Sequence, residues 1–185
     1  VFAGSAMHDA HCNNVARFAS LYAGLPYETS ATFVEMQCGS GIASINHAAL
    51  SIKNGDIDIA IAGGAESYSQ RFAKFSMAVE PYKLIPPTAI VNTLAPAKED
   101  SINMLEVSDL MAQIWKISRE ACDEFAQKSQ ERAARAIEKG YFDDEIVPVV
   151  TKQKKGDAIV CDKDEHPRPT STMESLAKLK PVNAG

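Results

Sequence analysis

Thr32-Phe-Val-Glu-Met-Gln-Cys-Gly-Ser-Gly41 is the stretch whose reading decides the fold. Thr32, Val34 and Met36 alternate with Phe33, Glu35 and Gln37, the period of a strand. Beyond Gly41 the period changes: Ile42, Ile45, Ala49 and Ile52 recur at intervals of three, four and three, which is one face of a helix. Cys38 therefore stands where a strand hands over to a helix. Gly39, Ser40 and Gly41 after it let the backbone turn sharply and let a ligand approach. The thiolate is the nucleophilic form of cysteine, and the free N–H groups at a helix start stabilise an anion by about 0.3–2 kcal/mol. That alone does not make an efficient nucleophile, so a proton acceptor is required as well. The competing reading is a small buried thiol at a strand end, because free cysteine is among the most buried residue types.

Outward from this junction the chain reads as alternating strands and helices. Residues 1–3 read as a strand, residues 5–13 as a polar loop, and residues 15–23 as a helix stopped by Gly24 and Pro26. Lys53-Asn54-Gly55 closes the helix after Cys38 with a cation and a glycine cap. Residues 57–62 form a near-continuous apolar run, expected of a strand covered on both faces. Strand, helix and strand at this spacing imply a βαβ unit and a largely parallel sheet. Gly63-Gly64-Ala-Glu-Ser67 follows at the strand's carboxyl end, where open α/β sheets place ligands, though alone it reads as a tight turn.

From residue 70 to 101 periodicity is lost and Pro81, Pro86, Pro87 and Pro96 accumulate, so an excursion from the sheet is expected, serving as a lid or an oligomer contact. Ser118 is a plausible N-cap for a long helix whose Cys122, Phe125, Ala126, Ser129, Ala133, Ala136 and Ile137 share one face up to Gly140. Residues 146–150 and 158–161 read as two short strands around a charged turn at 152–156. We divide the chain into a core at 1–69 that carries the nucleophile and a segment at 70–185.

The 185 residues are 45% hydrophobic and 23% charged, with a net charge of −5, which suits a globular chain and disfavours a nucleic-acid groove or an anionic membrane surface. No apolar run approaches the roughly 20 residues of a spanning helix. Cys12, Cys38, Cys122 and Cys161 are scattered without metal or disulfide spacing, consistent with reduced thiols in the cytoplasm or an organelle matrix. Both ends read as cut: Val1 opens inside a strand and Leu179-Lys-Pro-Val-Asn-Ala-Gly185 closes no element.

Several collinear stretches together resemble the thiolase family, the acetyl-CoA acetyltransferases and 3-ketoacyl-CoA thiolases. They are Asn14-Val-Ala-Arg17, Ala23-Gly-Leu-Pro26, Cys38-Gly-Ser-Gly41, Ala62-Gly-Gly-Ala-Glu-Ser67, Ser118-Arg-Glu120 and Phe125-Ala-Gln-Lys-Ser-Gln130. Gly140-Tyr-Phe-Asp-Asp-Glu-Ile-Val-Pro148, Asp164-Glu-His-Pro-Arg-Pro169 and Leu176-Ala-Lys-Leu-Lys-Pro181 continue the series. The resemblance implies a thiolase-like layered α/β fold with a largely parallel mixed sheet and an inserted loop domain. It implies the amino-terminal half, without the family's first strand and helix. By the same match Cys38 accepts the acyl group of an acyl-CoA and its backbone N–H helps hold the thioester oxyanion, while Met104, Arg168, Ser175 and Leu179 fall on positions near coenzyme A. Coenzyme A thioesters are then substrates, and no separate cofactor or metal is implied. A homodimer or tetramer through residues 32–37 is also implied.

This chain departs from the family pattern at three places: Glu35 replaces an Asn, Cys12 falls in a normally Gly-rich loop, and Asn103-Met104-Leu105 replaces His-Met-Gly. Nor does the chain offer Cys38 an obvious base. His47 lies nine residues further on, roughly 13 Å along a helix, and His166 sits in a distant Pro-bracketed loop. His8, His11 and Cys12 carry no fourth ligand that would make them a metal site. In thiolases the catalytic His, the second Cys and an Asn-held water come from the second half, so residues 1–185 alone are expected to turn over nothing. A ketosynthase-type condensing enzyme and a non-catalytic thiolase-like subunit remain as alternatives.

Overall fold

Three short strands, each ending on the same edge, organise the first part of the molecule. The computed structural model describes residues 1–7, 12–76, 82–83, 85–90 and 93–183. These fall into two units, 1–92 and 93–185, each taken by itself below.

In the first unit β1 (Phe2–Gly4) lies between β2 (Thr32–Val34) and β3 (Ala62–Gly64), parallel to both. Gly4 is in register with Val34 on one side and Gly64 on the other, so all three strands finish level. The β1–β2 connection holds α1 (Val15–Tyr22), whose Asn14 cap accepts from the Arg17 N–H at 2.9 Å and donates to Ala31 O at 3.2 Å. The Arg17 guanidinium donates to Thr29 O and Tyr27 O, binding the helix to the segment that leads into β2. Ala16 and Ser20 face inward.

The β2–β3 connection is α2 (Ser40–Asn54), ended by Gly55 at φ +82° with Lys53 in its last turn, as the sequence implies. Its inward face is Ser40, Ala43, Ser44 and Ala48. The stripe of larger residues points elsewhere: Ile42, Ile45 and Ile52 are 59, 47 and 43% exposed. Small side chains let a helix approach a sheet closely, so the inward face is the small one.

Two expectations about strands need correction. The strand begun at Thr32 stops at Val34 rather than reaching Gln37, because the chain turns into the Cys38 corner at Glu35. The apolar run 57–62 is not a strand covered on both faces: only Ala62 pairs with β1, opposite Phe2, and Ile59 and Ile61 are 86 and 60% exposed. β3 takes up the next residues, Gly63 and Gly64, instead. In the expected irregular segment, β4 (Phe75–Ser76) and β5 (Thr88–Ala89) form a small antiparallel pair; Pro81 lies outside the described residues.

The second unit contains α3 (Met104–Ile114), α4 (Arg119–Glu138), the antiparallel pair β6 (Val149–Thr151) and β7 (Ile159–Cys161), and α5 (Met173–Ala177). The Ser118 hydroxyl caps α4 by accepting from the Ala121 N–H at 3.2 Å. The apolar face expected of α4 is half-buried at Ala126, Ala133 and Ala136 but open at Phe125, and the buried residue beside it is Asp123, which Arg119 clamps through Nε at 3.0 and 3.1 Å. Among the described residues the buried hydrophobic side chains are Ala16, Val34, Ala43 and Ala48, all in the first unit. Both units thus leave their larger apolar faces uncovered. No helix among the described residues is long and apolar enough to cross a membrane.

Candidate active site

Parallel strands that end level present three loops at one edge, and here the loops after Gly4, Val34 and Gly64 meet. Helix α2 starts directly on top of them. A Cβ on Gly4 would lie 2.4 Å from the carbonyl carbon and oxygen of Ser40, and one on Gly64 would lie 2.7 Å from Gly4 O. Only hydrogen fits at either position, and that is what seats the first turn of α2 against the strand ends. Ser44, fully buried, fastens it there, with its hydroxyl 2.5 Å from Gly63 O and 2.7 Å from Gly41 O.

Cys38 sits on the corner between β2 and this helix. Glu35 begins the turn by accepting from the Gln37 N–H at 2.9 Å and from Gln37 Nε2 at 3.1 Å. The carboxylate thereby supplies a side-chain acceptor at the position where the thiolase pattern has Asn. Gln37 adopts φ +50°, the left-handed region that L residues with side chains enter at a cost, immediately before the cysteine. Ser40 holds the turn from inside: its Oγ accepts from the Met36 N–H at 2.9 Å and donates to Gln37 O at 2.6 Å. The N-cap of α2 is Gly39, so no side chain occupies the N–H groups of the first turn. Cys38 is exposed, in a shallow concavity lined by Ser5, Ala6, Gly41, Gly64 and Glu66. The alternative of a thiol buried in apolar packing is therefore wrong. The Gly39 and Ser40 N–H groups donate to Met36 O and Gln37 O at 3.0 and 3.1 Å. An accessible sulfur beside a helix start that no side chain caps can attack a carbonyl carbon while its oxygen is held.

Glu66 lines the same concavity. One carboxylate oxygen accepts from Ser5 Oγ at 3.0 Å and from the Ala6 and Met7 N–H groups at 2.9 and 3.0 Å; the other accepts from the Ser67 N–H at 3.3 Å. Desolvation pushes its pKa upward, but the Met7, Ser5, Ala6 and Ser67 donors together outweigh it and hold the carboxyl below its ordinary range. The sequence reading missed this residue, because Gly63-Gly64-Ala-Glu-Ser67 reads equally well as a turn.

His47 is exposed on α2, and His166 is exposed in the second unit; His8 and His11, two of the three residues weighed as a metal cluster, lie outside the described residues. Among the described residues no group of three or more His, Cys, Asp and Glu could hold a metal ion, and no disulfide forms.

Met104, Arg168, Ser175 and Leu179 all fall in the second unit. Met104 opens α3 and is 65% exposed. Asn103 before it caps that helix, accepting from the Leu105 and Glu106 N–H groups at 3.0 Å each, while Glu106 accepts from the Asn103 N–H at 2.9 Å. That box gives Asn103-Met104-Leu105 a local structural role. The Arg168 N–H donates to Gln130 Oε1 at 2.7 Å, leaving the exposed guanidinium directed to solvent. The Ser175 hydroxyl is engaged in the Thr172 capping box of α5, donating to Thr172 O at 2.8 Å. Leu179 exposes its side chain, and its carbonyl accepts from Arg119 Nη2 at 3.2 Å; the same Nη2 donates to Leu176 O at 2.9 Å. Arg119 thus braces the segment bearing Ser175 and Leu179.

Residues 1–184 match the family model described as "Thiolase, N-terminal domain". The chain is 42% identical over 174 residues to a 3-oxoadipyl-CoA/3-oxo-5,6-dehydrosuberyl-CoA thiolase of Escherichia coli, a match covering 90% of this chain and 43% of that protein. It is 41% identical over 191 residues to a beta-ketoadipyl-CoA thiolase of Pseudomonas aeruginosa, covering 99% of this chain and 47% of the relative. The crystal structure of the Bacillus anthracis acetyl-CoA acetyltransferase superposes with a TM-score of 0.82 at 32% identity, covering 98% of this chain and 46% of that one. The chain spans somewhat less than half the length of these relatives.

Proposed function

Because this chain belongs to the thiolase family, over its amino-terminal domain, we propose that it supplies the nucleophile half of an acyl-CoA:acetyl-CoA C-acyltransferase. In that reaction the Cys38 sulfur attacks the thioester carbonyl of an acyl-CoA, and coenzyme A leaves with the proton taken from the thiol. In condensation the second acetyl-CoA loses a proton from its methyl carbon, that carbon takes the acyl group, and the Cys38 thiolate is released to regain a proton. In thiolysis the sulfur instead attacks the 3-keto carbonyl of a 3-ketoacyl-CoA, the bond between the keto carbon and the next carbon breaks, and acetyl-CoA leaves with the thiol proton. The acyl group then passes to the sulfur of free coenzyme A, whose proton returns to Cys38. The Cys38 N–H and the start of α2, which no side chain caps, are the proposed donors to the oxyanion. The observation that carries this reading is the exposed sulfur at an uncapped helix start laid across the level ends of β1 and β3.

Met104, Arg168, Ser175 and Leu179 are proposed to contact coenzyme A, with residues from 70 onward acting as the family's loop-domain segment. No cofactor beyond the thioester is invoked. The proton acceptor for Cys38 is proposed to come from the half that the relatives carry and these residues do not. That half, together with a second copy pairing through the β2 edge at residues 32–37, would cover the open faces of α2 and α4. The proposed setting is the cytoplasm or an organelle matrix.

The test joins residues 1–185 to the remaining half of the Escherichia coli relative and follows acetoacetyl-CoA thiolysis. The chimera is expected to turn over, Cys38→Ala in the chimera to be inert, and residues 1–185 alone to be inert. Turnover by residues 1–185 alone, or undiminished turnover by Cys38→Ala, refutes the proposal.

A further inference from the structure

The Ser5–Glu66 side of the Cys38 concavity is built differently from an ordinary turn. Ser5, at the end of β1, is 8% exposed and fixed from several directions. Its N–H donates to Val34 O at 3.3 Å, its carbonyl accepts from Ser40 Oγ at 3.4 Å, and its own hydroxyl lies 2.6 Å from Met7 O and 3.0 Å from Glu66 Oε2. Ser40 Oγ in turn meets the Met36 N–H and Gln37 O, the two residues before Cys38. A chain of polar contacts thus links the Glu66 carboxylate through Ser5 and Ser40 to the left-handed residue before the cysteine, with the single Ser5 proton shared between Met7 O and Glu66 Oε2 and the single Ser40 proton between Gln37 O and Ser5 O. Glu66 Oε2 also gathers two successive backbone N–H groups, those of Ala6 and Met7, that would otherwise be free at the strand end.

We propose that Glu66 is a positioning residue for Cys38: its carboxylate folds residues 5–7, of which Ser5 and Ala6 line the concavity that holds the sulfur, and, through Ser5 and Ser40, fixes the turn that holds Gln37 and the first N–H groups of α2. Geometry makes an ionised carboxylate the suitable group. Oε2 accepts from the Ala6 and Met7 N–H groups and shares the Ser5 proton with Met7 O while Oε1 accepts from the Ser67 N–H, so both oxygens act as acceptors, whereas an amide would turn its NH2 toward the Ser67 N–H. Its charge lines the same concavity as the sulfur, but its lone pairs are directed into those donors rather than toward Cys38. Gly64 keeps the path short, since any side chain there would push β3 away from β1 and carry Glu66 with it.

The inference rests on Cys38 being the acyl acceptor, and the experiment separates the two. Residues 1–185 are alkylated with iodoacetamide, and the rate at Cys38 is divided by the rates at Cys122 and Cys161 in the same sample, two exposed thiols of the second unit. Selective labelling of Cys38 in the wild type supports the nucleophile reading; equal rates overturn that reading and the inference with it. Given selectivity, Glu66→Gln is expected to lower the ratio roughly two- to five-fold, the range a helix terminus contributes toward an anion. Ser5→Ala is expected to lower it likewise, and the double variant no further than the larger single effect. A ratio unchanged in folded Glu66→Gln, or fully additive losses in the double variant, overturns the inference while leaving the nucleophile reading intact. If Glu66→Gln fails to fold by circular dichroism, Ser5→Ala decides on the same ratio. A merely structural role lowers the melting temperature without moving that ratio.

Discussion

Replacing Gly4 by alanine puts a methyl group where none fits. The new Cβ would stand 2.4 Å from the Ser40 carbonyl carbon and oxygen and 2.9 Å from the Gly41 nitrogen, whereas ordinary contact begins at 3.4 Å. The gap is short by about 1 Å (3.4 − 2.4), and every atom in the way is backbone, so no side chain can swing aside. Relief requires α2 to lift off β1, which also breaks the Ser44 bond to Gly63 on β3, while the Ser44–Gly41 bond travels with the helix. Overpacking of this kind costs about 1–3 kcal/mol, and each lost hydrogen bond about 0.5–1.5 kcal/mol more. Urea unfolding followed by circular dichroism should show Gly4→Ala destabilised by about 1.5–4.5 kcal/mol on that sum. Gly63→Ala is the control, because a Cβ there meets nothing within 4 Å and its φ is not positive. It should shift stability by no more than about 0.5 kcal/mol. Equal stability of the two variants would refute the claim that strand ends and helix start are in backbone contact.

Ser44→Ala leaves two carbonyls without their hydroxyl and is expected to cost about 1–2 kcal/mol in the same unfolding assay. Arg119→Ala uncouples the nearly buried Asp123 carboxylate and releases the Leu176 and Leu179 carbonyls. The expected loss is about 1–3 kcal/mol, with faster amide exchange across residues 176–179; unchanged exchange there would contradict the bracing role. Glu66 is held below its ordinary pKa when folded, so its contribution is fully present above the unfolded value near 4.5 and is lost as pH falls through the folded value. The stability gap between wild type and Glu66→Gln should therefore shrink on acidification below about pH 4.5, and a gap constant with pH would exclude an ionised Glu66 as its source.

Much of this arrangement can be read from residues alone, for identifiable reasons. The switch from period two to period three and four around Cys38 is a local signal, and so are the Asn14 cap, the Ser118 cap and the Lys53-Asn54-Gly55 stop. Each survives because backbone hydrogen bonds within a few residues enforce it. What periodicity does not report is the partner of a face. The Ile42, Ile45 and Ile52 stripe marks a helix correctly, yet small Ala43, Ser44 and Ala48 face the sheet, since closeness of approach outweighs hydrophobicity there. The run at 57–62 misleads for the same reason: apolar content says nothing of register, which is fixed by Phe2 opposite Ala62. Helix α3 carried a readable signal in Asn103 and Glu106, three residues apart as a capping box requires, hidden by the proline-rich stretch before it. Glu66 was beyond reach, because its partners Ser5, Ala6 and Met7 lie about sixty residues earlier and only the β1–β3 pairing brings them near.

Peptide mapping of the acetylated thiol is the most direct trial of the whole account. Residues 1–185 joined to the remaining half of the Escherichia coli relative are incubated with acetyl-CoA, quenched in acid and digested. The acetyl thioester is predicted on Cys38; finding it on another cysteine, with Cys38 unmodified, would contradict the account at its centre.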